Sequence, residues 1–182
     1  MERGFAATRL EDVAVAAGVA KGTVVVYFPS KEALFRAVVH QSIGPLLAKT
    51  EELRDGSGSP RLRLAELVRF IATSLRDPRV GGIPKLMVSE VGNFPDMACS
   101  FHGDVCQRSL QAQAEIIRQG IACGEFRPVD PILAAHLVTD PIIMQAIWRN
   151  SLGRYECDPV DPDAYLETHL DTFLRGIAAA PT

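Results

Sequence analysis

Cys99, His102 and Cys106 fall at i, i+3 and i+7, one stripe of any helix that carries them. Soft thiolates and an imidazole at that spacing can bind a metal or sense oxidation. Small thiols packed in a core beside a partly exposed histidine give the same spacing, and this plainer reading is preferred, so no metal is assigned. His136 and Asp140, at i and i+4, form either a hydrogen-bonded pair in a pocket or a solvated pair on a helix surface. No catalytic apparatus accompanies either set. The chain has no phosphate-binding glycine loop, nucleophile elbow or paired metal motif, and the glycines of "GSG" and "VGG" lack the preceding strand such loops need. Neither an enzyme nor a cofactor is expected.

The stretch "AGVAKGTVVVYFPSK", residues 17–31, carries a different chemistry. Thr8 and Glu11 have capping-box spacing and open a helix with Leu10, Val13, Ala14 and Ala17 on one face. Gly18 stops it in a left-handed turn. A second helix of about two turns, roughly 20–28, ends at Pro29, and Ser30 caps a third beginning at Lys31-Glu32. Two helices joined by a tight glycine turn, the second short, make a helix-turn-helix. A helix about 10 Å long fits across a major groove about 12 Å wide. Val24 and Phe28 then face inward on Leu10 and Val13, leaving Lys21, Gly22, Thr23, Val26 and Tyr27 outward. Lys21 suits phosphate or guanine, Thr23 base or backbone, the valines thymine methyls and Tyr27 a phosphate. Lys31 at a helix start opposes the helix dipole, which fits an external anion better than internal stability. A glycine-ended helical hairpin with no nucleic acid is the alternative.

These residues resemble the tetracycline-repressor-like (TetR) regulators. Gly4-Phe5, Thr8, Val13-Ala14, Ala17-Gly18-Val19, Gly22-Thr23-Val24, Tyr27-Phe28, Ser30-Lys31-Glu32 and Leu34 match that family's N-terminal pattern in order and without gaps over residues 4–39. The resemblance implies an all-α homodimer that binds a palindromic double-stranded DNA operator and releases it when a small molecule occupies the C-terminal domain. Its DNA-contacting set would be Thr8, Lys21, Gly22, Thr23, Val25, Val26, Tyr27 and Lys31. Three departures stand out: Ala20 replaces the usual capping serine, Val25 replaces the usual tyrosine, and the chain starts near the end of the family's first helix, at Glu2-Arg3.

The elements behind this unit read at the helical period throughout, with no alternating strand. "DGSGSP", residues 55–60, is the clearest break and divides the chain into a DNA-binding unit with its connecting helix, 1–54, and a ligand-binding and dimerisation bundle, 55–182. Helices are expected over 61–76, a broken segment near 83–92, a long helix over 96–123, one over 131–150 with Pro141 inside, and a last one from Asp161-Pro162. Met87, Phe94, Phe101, Met144 and Trp148, with the polar His102, His136 and Asp140, are the candidate lining of a cavity for an apolar or amphipathic effector. Ile143, Ile147, Leu166, Leu170, Phe173, Leu174 and Ile177 are the candidate dimer interface. The 182 residues carry a net charge of −3, which argues mildly against nucleic acid, although a small module can be locally positive on an acidic chain. No uninterrupted apolar stretch approaches the roughly 20 residues of a membrane span, so no membrane partner is expected. Four cysteines without disulfide-framework spacing fit a reducing cytoplasm. A helical ligand-binding or scaffold protein that no longer binds DNA is the rival reading.

Overall fold

The computed structural model describes Phe5 and residues 8–180; Glu2, Arg3 and Gly4 of the N-terminal motif lie outside the described residues. Helix α1, Leu10–Ala16, begins later than its capping spacing predicts. Glu11 is engaged by Lys21 instead of closing a box with Thr8, and the Arg9 amide donates to the Asp12 carboxylate at 3.3 Å. The helix ends in a Schellman turn: Gly18 adopts φ +67°, its amide donates to the Val15 carbonyl, and the Val19 amide reaches back to Ala14. Helix α2, Lys21–Tyr27, has no side-chain cap at Ala20. By contrast, Ser30 accepts a 3.1 Å hydrogen bond from the Ala33 amide and caps α3, Lys31–Asp55.

The long α3 carries this unit into the bundle. Its last carbonyls, on Leu53 and Arg54, accept from the buried Arg63 guanidinium at 2.9 and 3.0 Å. That arginine sits on α4, Pro60–Ser74, where Ser59 is the N-cap and proline occupies the first turn. The Glu125 carboxylate takes hydrogen bonds from the Ser59 hydroxyl and the Arg61 amide there, a negative charge at the positive end of the helix. Helix α5, Pro78–Glu90, runs unbroken through Pro84, where a broken segment was expected. The turn before it is tight enough that a Cβ on Gly81 would lie 2.0 Å from the Leu75 carbonyl oxygen.

The helix expected over 96–123 is three pieces: α6, Pro95–Phe101; a π-helical turn, His102–Gln107; and α7, Arg108–Ala122. The wider turn rotates α7 about its axis relative to α6, so residues 99, 102 and 106 no longer share the straight α-helical stripe. Helix α7 is the centre of the bundle, with Ala114, Ile116 and Ile117 fully buried against α3, α4 and α8, Pro131–Arg149. Phe126 fills the space above Gly120, where any Cβ would lie 2.2 Å from its ring. Beside it the Arg127 amide donates to the Ile177 carbonyl and anchors the end of the last helix, α9, Pro162–Ile177. Among the described residues α8 alone is long and apolar enough to cross a membrane, yet it packs in this bundle along α4, α5, α7 and α9.

Candidate DNA-binding face and ligand cavities

On α2, Val24 is buried and Phe28 beyond it half-buried, while Lys21, Gly22, Thr23, Val25, Val26 and Tyr27 all lie exposed. Val26 and Tyr27 are 80% and 74% exposed, far from what packing would produce for such side chains. The Lys21 ammonium pairs with the Glu11 carboxylate, and that contact holds Glu11 below the usual carboxylate range. Thr8 is half-buried before α1. Lys31 corrects the sequence expectation, because it has an internal role. Its ammonium donates to the Phe5 carbonyl at 2.7 Å and lies 4.4 Å from the Phe5 ring centroid and 5.6 Å from that of Phe94. Cation–π attraction in this partly buried pocket compensates for the unfavourable helix dipole.

The predicted effector residues divide among three places. Phe101, His102, His136 and Asp140 line a cavity of about 500 Å³ between α3, α4, α5, the π turn, α7 and α8. Met144 and Trp148 line a different cavity, of about 600 Å³, beside the loop after α8. Met87 is buried in the core, and Phe94 packs edge-on against Phe5, ring centroids 4.8 Å apart. The first cavity has an apolar wall that includes Ile43, Leu46, Ile71 and Leu110, and sequence reasoning missed its deepest polar group, Gln113. Gln113 is 1% exposed; its amide donates to Ser109 at 3.1 Å and accepts from the Thr139 hydroxyl. A glutamine in register with Leu110, Ala114 and Ile117 on the buried side of α7 was a signal available in the sequence. His136 and Asp140 meet at 3.0 Å with both residues exposed, so they form a pair at the cavity edge.

The cysteine stripe fits neither proposed role. Cys99 and Cys106 are exposed rather than packed in the core, and the described residues include no group of three metal-ligating side chains. Cys106 borders the first cavity, where desolvation of its sulfur and then the Asp140 carboxylate push its thiol pKa up, away from the reactive thiolate.

The dimer set also needs correction. Leu166, Leu170, Leu174 and Ile177 are buried in the chain's own core, where α9 packs on α4 and α8. Ile143 borders the first cavity, and Ile147 and Phe173 are half-buried. On α8 three apolar side chains share an uncovered face, with Leu133, Leu137 and Met144 62%, 65% and 58% exposed.

Two family profiles account for most of this architecture. "Bacterial regulatory proteins, tetR family" matches residues 1–38, and "Tetracyclin repressor-like, C-terminal domain" matches residues 54–177. The chain belongs to the TetR family. Among TetR-family relatives, the HTH-type transcriptional regulator RutR of Escherichia coli is 30% identical over 129 residues, 70% of this chain. The match spans 59% of the length of RutR. The HTH-type transcriptional repressor KstR2 of Mycolicibacterium smegmatis is 25% identical over 97% of this chain and 83% of its own. The crystal structure of FadR from Bacillus subtilis in complex with stearoyl-CoA superposes with a TM-score of 0.78 at 20% identity, over 97% of this chain and 92% of FadR. That last likeness shows a shared fold over nearly the whole chain.

Proposed function

We propose that this TetR-family chain is a cytoplasmic transcriptional repressor that binds a palindromic operator as a dimer and leaves it when an apolar or amphipathic molecule occupies the cavity under α7. The observation that carries the reading is the face of α2: six of its seven residues are exposed, among them two valines and a tyrosine on a helix whose inner side rests on Val24. Residues 1–54 would serve DNA and 55–182 the effector and the partner subunit. The DNA contacts are Thr8, Lys21, Gly22, Thr23, Val25, Val26 and Tyr27, with Lys21 exchanging Glu11 for phosphate on binding. The size of the first cavity, its apolar wall and its Gln113–Thr139 pair support a ligand with a long apolar body and few polar atoms. The stearoyl-CoA bound to FadR shares the long apolar body with this class, in its acyl chain, but not the small number of polar atoms, since its CoA head is highly charged. Two-fold pairing through the exposed stripe of α8 would set two α2 helices about one DNA turn, roughly 34 Å, apart or farther.

Selection of bound fragments from a random DNA library with the full chain should enrich an inverted repeat. Lys21→Ala and Tyr27→Phe should then weaken binding in a gel-shift titration at unchanged thermal stability, and Lys21→Ala should reduce the salt slope by about one charge. Absence of any enriched repeat would leave a helical ligand-binding protein as the better description.

A further inference from the structure

The second cavity lies between the end of α4, the C-terminal half of α8, the loop after it and the start of α9, and it shares only Leu75 with the lining of the first. Its body is apolar and aromatic, with Ile142, Met144, Trp148 and Tyr165 along the walls. Four charged side chains border it, and three of them are already engaged. The Glu156 carboxylate accepts from the Trp148 indole at 2.7 Å, and Asp161 accepts from the amides of Asp163 and Ala164 as the cap of α9. The Arg76 guanidinium holds Asp163 with two hydrogen bonds.

Arg149 is the exception. One of its N–H groups donates to the Leu75 carbonyl at 2.9 Å, and it makes no ion pair among the described residues. Its pKa is held below the usual arginine range, first by desolvation and then by the nearby Arg76 cation. A guanidinium has five donors in a planar fork, so four remain for an acceptor, and a carboxylate matches that geometry in pairs.

We propose that this second cavity binds a monoanionic, carboxylate-bearing apolar molecule, with the carboxylate on Arg149 and the hydrocarbon body along Ile142, Trp148 and Tyr165. The geometry selects one carboxylate: Arg76 is already held by Asp163, so Arg149 offers the one planar fork left without an ion pair among the described residues, and Glu156 and Asp161 oppose any further negative charge. The site is distinct from the effector cavity under α7 and holds whether or not the chain binds DNA.

Trp148 is the only tryptophan, so its emission reports this cavity directly. Octanoate and 1-octanol present the same hydrocarbon body with and without the charge. Titrated into the full-length protein, octanoate should shift the Trp148 emission saturably, at a dissociation constant about tenfold or more below that of 1-octanol, as expected for a charge-assisted pair. Arg149→Met should erase that preference and Arg149→Lys should keep part of it. Leu110→Phe, which narrows the first cavity, should leave it intact. Equal affinity for acid and alcohol, an unresponsive Trp148, a preference that survives in Arg149→Met, or one abolished by Leu110→Phe would each overturn the assignment. The comparison of the two probes on the unsubstituted protein decides the matter even if Arg149→Met fails to fold.

Discussion

Val15 on α1 and Val26 on α2 are 82% and 80% exposed, whereas Ile116 and Ile117 on α7 are fully buried. All four are β-branched and helical, yet the two regions use them oppositely. In the bundle, apolar side chains meet one another: α7 is surrounded, and even Gly120 is required by the ring lying on it. In the N-terminal unit, Ala14 and Val24 are the buried residues of α1 and α2, and a Schellman turn joins the two helices. A short helix held by a turn and presenting valines and a tyrosine outward is built around something it touches elsewhere. The bundle is built around itself, although α8 leaves Leu133, Leu137 and Met144 in solvent.

The contrast breaks most sharply on stability. Phe126→Ala should destabilise the protein by about 3–5 kcal/mol, because it empties a site closed on every side. Val26→Ala should change stability by no more than about 0.5 kcal/mol, as an exposed substitution that also improves helix propensity. Chemical denaturation of both variants measures this. A Val26→Ala protein destabilised as strongly as Phe126→Ala would mean that α2 packs against its own chain in solution.

The next largest effect concerns those α8 side chains. Leu137 is exposed on α8 between Leu133 and Met144, so Leu137→Glu costs a lone chain little. If the stripe is covered by a second subunit, burying that carboxylate opposite its own copy prevents pairing. Sedimentation at micromolar concentration should show the unsubstituted chain as a dimer and Leu137→Glu as a folded monomer. A dimer that survives Leu137→Glu would move the interface off α8.

How much of this the sequence carried depends on the kind of signal. Caps and breakers act within a few residues, so Gly18, Ser30, the "DGSGSP" break and the Asp161-Pro162 start of α9 were all legible. The outward face of α2 followed from Val24 and Phe28 by periodicity alone. Tertiary choices were not legible, because one chain shows an apolar stripe but not what covers it. Leu166, Leu170, Leu174 and Ile177 of α9 read as an interface and are core, whereas on α8 the interface reading fell on Ile143 and Ile147 and the side chains left in solvent are Leu133 and Leu137. Lys31 shows the same limit at one residue: its conflict with the helix dipole is visible in the sequence, and the two aromatic rings that resolve it come from 26 residues earlier and 63 residues later in the chain. The π turn at His102–Gln107 has no local residue signature comparable to a glycine or proline stop, and it moved the cysteine stripe out of register.

The smallest effect tests whether the loose end of the comparison is loose by composition. Ala20 already has the extended backbone of a helix N-cap, φ −68° and ψ 145°, but no side-chain oxygen. Ser30, one helix later, shows what the oxygen does in this fold, since it takes the Ala33 amide at the third helical position. Ala20→Ser should let the hydroxyl accept from the amide of Gly22 or Thr23, contributing about 1 kcal/mol to α2. Amide exchange within α2 should then slow by about fivefold if the helix opens locally, with exchange in α7 unchanged. Equal slowing in both helices would show instead that the N-terminal unit and the bundle unfold together, and that the difference between them lies in what each surface is for rather than in how firmly each is held. No change in either would mean that the short helix is fixed by the Schellman turn before it and Val24 beneath it, leaving its first amides open to an anion from outside.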